Sequence, residues 1–179
     1  MLVKEWNELP EFMQVEEVKP YYDILKKKKL QLILKRLFDI VCSLILIVIL
    51  SPILLILSIW IKLDSKGPVF YRQERITQYG KVFRIFKFRT MITNADKVGT
   101  LVTTQNDSRI TKVGNKIRKC RLDELPQVFN IFLGDMSFVG TRPEVQKYVD
   151  AYTKEMNATL LLPAGVTSLA SIKYRDEDE

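Results

Sequence analysis

The sequence contains no histidine and only two cysteines among its 179 residues. Histidine is the commonest metal ligand and the commonest acid–base residue, so any catalysis must rest on carboxylates, lysine, tyrosine, serine or cysteine. Cys42 and Cys120 do not have the spacing of a zinc site or of a disulfide framework. This argues against a disulfide scaffold and favours a reducing, cytoplasmic setting.

Charged side chains are absent from one long stretch, residues 40–61, which reads IVCSLILIVILSPILLILSIWI. At about 1.5 Å per residue, a helix of this length measures roughly 33 Å. The hydrocarbon core of a bilayer is about 30 Å thick, so the stretch is predicted to enter a membrane. A single transmembrane helix is the simplest interpretation.

Two features favour a helix that dips into the bilayer and returns. Pro52 lies in the middle of the run, where proline kinks or breaks a helix. Lysine and arginine prefer the cytoplasmic side of a membrane, yet they flank both ends of the run. A re-entrant helix broken at Ser51-Pro52 keeps both flanks in the cytoplasm, and the Ser51 hydroxyl is expected to satisfy the carbonyl that Pro52 orphans. The residues alone leave this topology and a Pro-kinked span both open.

The positive charge is concentrated directly after the apolar run. The whole chain has 28 Lys and Arg against 21 Asp and Glu, a net charge of +7. Residues 62–150 alone hold 17 basic and 9 acidic side chains. A basic surface beside a membrane indicates anionic lipid head groups or phosphorylated ligands, with nucleic acid as the generic competitor.

The local patterns predict helices, one hairpin and loops. Residues 1–20 are mixed in charge and contain two prolines, which predicts a surface segment or tail. Apolar residues recur at helical spacing from Leu30 to Val41, so an amphipathic helix either lies on the membrane surface or continues the apolar helix. The remaining elements are a strand at 69–71, a turn at 77–80, a returning strand at 82–91, a loop at 92–112, a short basic helix at Lys112–Lys119, and a loop at 137–144.

Asp123 and Glu124 precede a helical stripe that runs from Leu125 to Phe132. Because a helix dipole stabilises a carboxylate at its N-terminus, Asp123 is expected to stay ionised at neutral pH. An ordinary N-cap aspartate is the structural alternative. On the returning strand, Lys87 and Arg89 are predicted to share one face, where paired cations suit phosphate; a solvated strand face is the alternative.

Taken in order, six motifs resemble the bacterial sugar transferase family, the monotopic polyprenol-phosphate phosphoglycosyl transferases. The resemblance covers about residues 32–179, and Thr141 departs from it because the family usually has proline there. The motifs are Lys35-Arg-Leu-Phe-Asp39, Ser51-Pro52, Gly67-Pro-Val-Phe-Tyr-Arg-Gln-Glu-Arg75, Lys87-Phe-Arg-Thr-Met91, Leu122-Asp-Glu-Leu-Pro-Gln127 and Gly134-Asp-Met-Ser-Phe-Val-Gly-Thr-Arg-Pro-Glu144.

The resemblance implies a mostly helical α+β fold. Residues 1–36 would form an N-terminal extension and interfacial helix, and 37–62 a re-entrant membrane helix broken at Ser51-Pro52. Residues 63–179 would form a small cytoplasmic catalytic part with a β-hairpin, C-terminally truncated because members usually continue past Tyr174. The expected location is the cytoplasmic face of the bacterial inner membrane.

The resemblance also implies an activity. A phosphosugar would pass from a nucleoside diphosphate sugar, usually a UDP-sugar, to a polyprenol phosphate, with release of UMP. This is the first membrane step in assembling glycoconjugates such as exopolysaccharide or lipopolysaccharide. The family's catalytic dyad maps onto Asp123 and Glu124, which would also hold Mg²⁺. Arg118 and Arg142 would bind phosphate, joined by Lys87 and Arg89.

Two rival functions stay open on the residues. A non-catalytic, membrane-anchored basic module that binds anionic lipid or nucleic acid explains the charge but not the paired carboxylates beside arginines. A membrane phosphatase would share the phosphate site and use water as acceptor. The transferase interpretation expects a sugar nucleotide, a polyprenol phosphate and membrane lipid as partners, expects no nucleic acid, and leaves the oligomeric state, the sugar and the role of Glu124 (proton or metal) open.

Overall fold

The computed structural model describes residues 3–95, 107–168 and 172–173. As predicted, the fold is a mostly helical α+β arrangement with one long apolar helix and small sheets. Its helices are α1 (Lys19–Lys27), α2 (Lys29–Asp64), α3 (Lys112–Lys119), α4 (Gln127–Leu133) and α5 (Gln146–Val149). Its strands are β1 (Phe70–Ile76), β2 (Val82–Phe88), β3 (Met136–Val139) and β4 (Ala164–Thr167).

The apolar run lies inside α2, a helix of 36 residues that is long and apolar enough to cross a membrane. Only 17% of its most apolar window is buried within the protein, which distinguishes it from the core helix of a soluble protein. The sequence predicted a boundary between an interfacial helix (1–36) and a membrane helix (37–62), and that boundary falls inside this one helix.

Helical hydrogen bonding continues through Ser51-Pro52, so the predicted break does not end the helix at that pair. Pro52 has no N–H to offer the Val48 carbonyl four residues earlier. The Ser51 hydroxyl donates to that same carbonyl at 2.8 Å, as the sequence predicted. The pair therefore keeps the backbone satisfied in an apolar setting, where an unpaired carbonyl is costly.

Two small sheets organise the remainder. β1 and β2 form the predicted antiparallel hairpin, with a turn at Gln78–Gly80. β3 pairs in parallel with β4, which corrects the prediction of a loop over 137–144: its first residues form a strand. The prediction failed there because a four-residue strand carries too few residues to show a periodicity.

The N-terminal segment is not a tail. Met13, Val18 and Tyr22 are fully or almost fully buried against Ile76 and Leu161, and they form one of three apolar clusters among the described residues. The mixed charges that predicted a tail lie on the outer surface of this segment, where Lys26 pairs with Glu5 at 2.5 Å. Its apolar residues are spaced irregularly because it folds into two 3₁₀ turns, Trp6–Glu8 and Glu11–Met13, rather than a regular helix.

α4 is fixed to the hairpin by a buried amide. Asn130 accepts from the Phe86 N–H at 2.7 Å and donates to the Arg84 carbonyl at 3.0 Å, so it pairs with β2 as a neighbouring strand would. Gly134 ends α4 in the left-handed conformation (φ 97°), which glycine adopts readily. These contacts set the position of the turn that precedes α4.

Candidate functional site

Asp123 and Glu124 lie in a 3₁₀ turn, Leu122–Glu124, between α3 and α4. Arg121 starts this turn in the left-handed conformation (φ 51°, ψ 23°), which is uncommon for a residue with a side chain. The predicted helix therefore begins later than its apolar stripe suggested, at Gln127, and Asp123 does not cap it. Both acidic side chains are half-buried.

Of the two acids, Glu124 is the one that forms ion pairs among the described residues. Its Oε1 lies 2.7 Å from Lys87 Nζ and 3.7 Å from Arg142 Nη2. Burial acts to raise the pKa of Glu124, but the charge and hydrogen bond of Lys87, with the charge of Arg142, outweigh it, so the pKa lies below its ordinary value. Glu124 is thus held as a carboxylate between two cations.

Asp123 has the opposite shift. Burial raises its pKa above the ordinary value, and the negative charge of Glu124 adds to this rise. Lys87, the Asp123 backbone N–H and Arg118 only partly offset it. The helix-dipole argument gave the wrong direction because the carboxylate lies in a separate turn, where loss of solvent dominates. That Asp123 is ionised at neutral pH stays a prediction.

Asp123 faces a cleft of about 410 Å³ whose lining is strongly basic. The cleft is bounded by the hairpin on one side and by α3 and residues 90–95 on the other. Five cationic side chains line it: Arg75, Lys87, Arg89, Arg109 and Arg118. Such a cleft suits a ligand with several negative charges, because low-dielectric walls strengthen the field of the cations.

Arg118 and Arg142 approach the dyad from different elements. Arg118 is half-buried in the last turn of α3. Its positive charge offsets part of the rise that burial causes in the pKa of Asp123. Arg142 follows β3, and its side chain is 54% exposed, which leaves it accessible to a ligand. The sequence-predicted residues Asp123, Glu124, Lys87, Arg118 and Arg142 are therefore brought together.

Arg89 lies in the wall of the cleft, but its guanidinium is occupied by protein groups. It donates to the carbonyl oxygens of Ser65 (2.8 Å) and Lys66 and to the Thr93 hydroxyl, and only 5% of the residue is exposed. β2 ends at Phe88, so Arg89 also lies beyond the strand face that it was predicted to share with Lys87. Its contacts join the end of α2 to the end of β2.

Arg109 is likewise paired within the protein. Its guanidinium makes a two-pronged ion pair with Asp107, at 2.6 Å for the shortest contact, and donates to the Ala95 carbonyl at 3.0 Å. The hydrogen bonds from Arg109 lower the pKa of Asp107 to about 2. The predicted loop 92–112 lies partly outside the described residues, and the hydrogen bond from Arg109 to Ala95 joins the described parts on either side of the gap.

Sequence reasoning missed Arg75, which lines the cleft and holds the segment that carries Arg142. Arg75 donates to the Pro143 carbonyl at 3.1 Å, and the neighbouring Ile76 N–H donates to the Glu144 carbonyl at 2.9 Å. The alternation of side chains along β1 could have identified Arg75 as a site residue. Arg75 is on the same face of β1 as Tyr71, whose cross-strand partner is Lys87.

α2 contacts the remainder of the fold near both of its ends. Near its start, Arg36 donates to the carbonyl oxygens of Ile131 (2.7 Å) and Phe132 (2.9 Å) at the end of α4. One turn later, the buried Asp39 accepts from the Ser137 hydroxyl at 2.8 Å. Near its end, Leu57 and Ile61 pack in a cluster with residues of β2 and α3. The Lys-Arg-Leu-Phe-Asp motif thus anchors the apolar helix.

Comparison with known proteins gives a consistent family. A sequence profile described as bacterial sugar transferase matches residues 30–179. A UDP-N-acetylgalactosamine-undecaprenyl-phosphate N-acetylgalactosaminephosphotransferase from Aeromonas hydrophila is 44% identical over 69% of the chain and 29% of its own length. A UDP-glucose:undecaprenyl-phosphate glucose-1-phosphate transferase from Klebsiella pneumoniae is 41% identical over 84% of the chain and 33% of its own length.

A smaller relative matches over most of both chains. The exopolysaccharide production protein ExoY from Sinorhizobium fredii is 36% identical over 80% of this chain and 70% of its own length. The chain spans about a third of the two enzymes from Aeromonas and Klebsiella. The profile begins at residue 30, so α1 and the segment before it lie outside the matched region.

Proposed function

Because the chain belongs to the bacterial sugar transferase family, we propose that it transfers a sugar phosphate from a UDP-sugar to a polyprenol phosphate. UMP is released, and the polyprenol diphosphate sugar that forms starts the assembly of a membrane glycoconjugate. One observation carries the proposal: Asp123 faces a cation-lined cleft beside a charge-neutralised Glu124, on a scaffold anchored to a membrane-length apolar helix.

Asp123 is the proposed nucleophile. Its carboxylate oxygen attacks the phosphorus that bears the sugar, an Asp–O–P bond forms, and the diphosphate P–O bond breaks so that UMP leaves with the electron pair. A phosphate oxygen of the polyprenol phosphate then attacks the same phosphorus and releases the Asp123 carboxylate. Burial supports this role, because a carboxylate that has lost solvent is more basic and more nucleophilic than a fully solvated one.

The basic side chains neutralise the transferred phosphoryl group. Catalysis of phosphoryl transfer depends mainly on positioning and on charge stabilisation. Arg118 and Lys87 line the donor side of Asp123, while Arg142 lies on the Glu124 side. Arginine's planar fork suits two phosphate oxygens at once. Glu124 keeps Lys87 and Arg142 oriented by its ion pairs and acts in the second half of the reaction, on the acceptor.

The dyad also fits Mg²⁺. Carboxylate oxygens are ligands that this ion prefers, and it is usually held by one or two carboxylates together with substrate phosphates. Within the described residues, no group of three or more acidic, cysteine or histidine side chains forms a complete metal cage. Asp123 and Glu124 would therefore hold the ion together with the diphosphate, and the ion would supply further charge neutralisation.

A re-entrant α2 is supported by where its two ends lie. Arg36 and Asp39 contact α4 and β3, and Leu57 and Ile61 pack with β2 and α3, all in one small domain. The ten residues between Ser43 and Leu54 are all exposed or half-buried. Ten helical residues measure only about 15 Å, half of the hydrocarbon core. A straight span would place parts of one packed domain on opposite sides of the bilayer, so we place the domain at the cytoplasmic face of the inner membrane.

Trapping the intermediate tests the proposal. The full chain in nanodiscs is incubated with a UDP-sugar and Mg²⁺ but no lipid acceptor. Mass spectrometry should find a sugar phosphate on the peptide that contains Asp123, with UMP released in equal amount. Asp123→Asn should lose both signals, and Glu74→Gln, at an exposed acid on β1, should keep both. An adduct on the Asp123→Asn variant would refute the covalent role of this residue.

A further inference from the structure

An apolar groove lies between α1 and the segments that surround Arg142. Its volume is about 230 Å³. α1 supplies one wall through Tyr21, Ile24 and Leu25, and the opposite wall includes Ala158, Leu162 and Pro163. The groove is separate from the cleft that Asp123 faces, because the two share no lining residue.

The walls of the groove are held in place by polar contacts outside it. The Tyr21 hydroxyl donates to Glu155 at 2.6 Å, which joins α1 to the 3₁₀ segment Glu155–Leu161. Beneath this contact, Tyr22 is 1% exposed and packs in the same cluster as Leu161. The groove is therefore a fixed feature of the fold rather than a gap between loosely associated segments.

One end of the groove adjoins the segment that carries Arg142. Thr141, Thr159 and Leu162 line both the groove and the small adjoining cavity that Arg142 lines. Arg142 is the next residue in the chain after Thr141, and its guanidinium lies 3.7 Å from Glu124. The groove therefore adjoins the segment that carries this cation.

The outer end of the groove leads to the membrane helix. Only Lys28 separates α1 from α2. Lys27, Lys28 and Lys29 are exposed at this junction, and Leu30 and Leu34, which follow in α2, are 69% and 55% exposed. Exposed lysines followed by exposed leucines are the pattern of a segment at the bilayer surface, where the cations meet anionic head groups.

The groove thus lies between the exposed lysines and leucines at the start of α2 and the segment that carries Arg142. A polyprenol phosphate has the matching chemistry: a charged phosphate, then an apolar chain that ends in the bilayer. Resting on the proposed function, we infer that this groove holds the isoprenyl units nearest the phosphate of the acceptor lipid, with that phosphate against Arg142. The donor then occupies the cleft on the Asp123 side, and the two substrates reach the dyad from different directions.

Part of this acceptor site lies outside the family-matched region. α1 precedes residue 30, where the match begins, whereas the facing wall belongs to it. Ile24, Leu25 and Tyr21 are therefore contributions that the family motifs do not predict. They become specificity-determining residues for the isoprenyl units nearest the phosphate.

Acceptor kinetics test the inference with variants of the full chain in detergent. Ala158→Leu fills the groove without a change of charge, and Ile24→Asp makes its wall polar. Each should raise the KM for undecaprenyl phosphate roughly tenfold, which is the effect of no longer burying about two methylene groups of the lipid. The KM for the UDP-sugar should stay within about twofold. Met156→Asp, at an exposed apolar residue of the same 3₁₀ segment that does not line the groove, should leave both constants unchanged. Equal changes in both KM values, or an unchanged acceptor KM, would overturn the inference and leave the transferase proposal standing.

Photo-crosslinking gives a readout that does not depend on catalysis. A prenyl phosphate with a diazirine on its second isoprenyl unit is bound to the wild-type chain and irradiated. The label should map to residues 19–27 or 158–163 and should be competed away by undecaprenyl phosphate. A label confined to residues 40–61 would overturn the groove assignment. Absence of sugar transfer by the same protein preparation, with the groove still labelled, would count against the proposed function alone.

Discussion

Lys87 Nζ donates to Glu124 Oε1 over 2.7 Å, and this contact joins β2 to the turn that carries Asp123. The partners lie 37 residues apart in sequence, and both are about 20% exposed. Salt screens a partly buried ion pair less than a surface pair, so the attraction between the two charges is retained. This attraction holds the turn against β2. Glu124 therefore keeps its charge, and that charge raises the pKa of its neighbour, Asp123.

Arg118→Gln should shift the pH dependence of catalysis. The positive charge of Arg118 lowers the pKa of Asp123, so its loss raises that pKa further. Because the reaction needs the carboxylate, the acidic limb of the rate profile for UMP release should move to higher pH. Lys119→Gln, the exposed neighbour on α3, is the control and should leave the limb in place. An unshifted limb in Arg118→Gln would show that this charge does not act on Asp123.

Asp123→Asn should stabilise the fold while it abolishes transfer. When folding raises the pKa of a carboxyl group, ionising that group destabilises the fold. The loss of stability begins as the pH rises through the unfolded-state pKa and is complete above the folded-state pKa. Asparagine removes this cost at neutral pH, so Tm should rise by a few degrees. Below the ordinary aspartate pKa, wild type and variant should unfold at similar temperatures. A lower Tm for the variant at neutral pH would contradict the burial argument.

Arg36→Gln should loosen α4 from the apolar helix. The guanidinium donates to two carbonyl groups at the C-terminal end of α4, where a cation also complements the helix dipole. Losing charged hydrogen bonds of this kind costs about 1.5–3 kcal/mol. Thermal unfolding in nanodiscs should show a lower Tm than for Lys62→Gln, an exposed position in the last turn of the same helix. Equal Tm values for these two variants would argue that the Arg36 contacts carry no net stability.

Gly114→Ala should destabilise the protein although alanine is the better helix former. A Cβ at this position would lie 2.0 Å from the Thr90 carbonyl oxygen, a backbone atom that cannot move alone. The helix-propensity gain of about 1 kcal/mol is therefore exceeded by displacement of α3, which carries Arg118. Denaturant unfolding should show a loss of roughly 1–3 kcal/mol and a rise in the KM for UDP-sugar. Asn115→Ala, exposed on the same helix, should be neutral or slightly stabilising.

Pro52→Ala should weaken the re-entrant topology of α2. Alanine restores the N–H that proline lacks, so the Val48 carbonyl regains its ordinary partner and a straight helix becomes more favourable. Cysteines introduced near Lys28 and Lys66, in a chain without Cys42 and Cys120, are labelled with an impermeant reagent from outside the cell. Wild type should protect both sites, and Pro52→Ala should expose one in part of the population. Labelling of one site alone in wild type would establish a span.

Loss of the neighbouring hydroxyl should have a smaller effect. Ser51→Ala leaves the Val48 carbonyl without the 2.8 Å hydrogen bond. Side-chain hydrogen bonds between membrane helices contribute about 0.6–2 kcal/mol, and we expect a loss no larger than that here. The variant should therefore keep the wild-type labelling pattern with a lower Tm. Ser58→Ala, which removes a similar hydroxyl bond on α2 where the backbone pairing is intact, serves as the control and should have less effect.

Local patterns predicted the elements whose residues depend mainly on near neighbours. The basic helix at Lys112–Lys119 has the predicted bounds, and the hairpin turn lies where Thr77–Gly80 placed it. The hydroxyl of Ser51 meets the predicted carbonyl because both groups lie within one helical turn. In the site, Lys87, the Asp123–Glu124 pair and Arg142 come from three separate motifs, and Arg118 lies five residues before Asp123. Residue type and local position were enough to propose them.

Partners distant in sequence decided the remainder. Nothing near Arg89 shows that its guanidinium binds the carbonyl groups of Ser65 and Lys66, and nothing near Met13 shows that Leu161 covers it. The direction of the Asp123 pKa also depends on burial, which many separate segments produce together.

The sequence by itself determined that the chain has a membrane-length apolar helix, a basic segment after it and the motifs of the bacterial sugar transferase family, because these properties reside in residue type and short-range spacing. Only the tertiary structure decided that the N-terminal segment is part of the core, that the Arg89 guanidinium binds protein carbonyl groups, and that an apolar groove lies between α1 and the segment that carries Arg142. The physical reason is that solvent exclusion and charge pairing depend on which distant segments meet, and a linear pattern does not encode that directly.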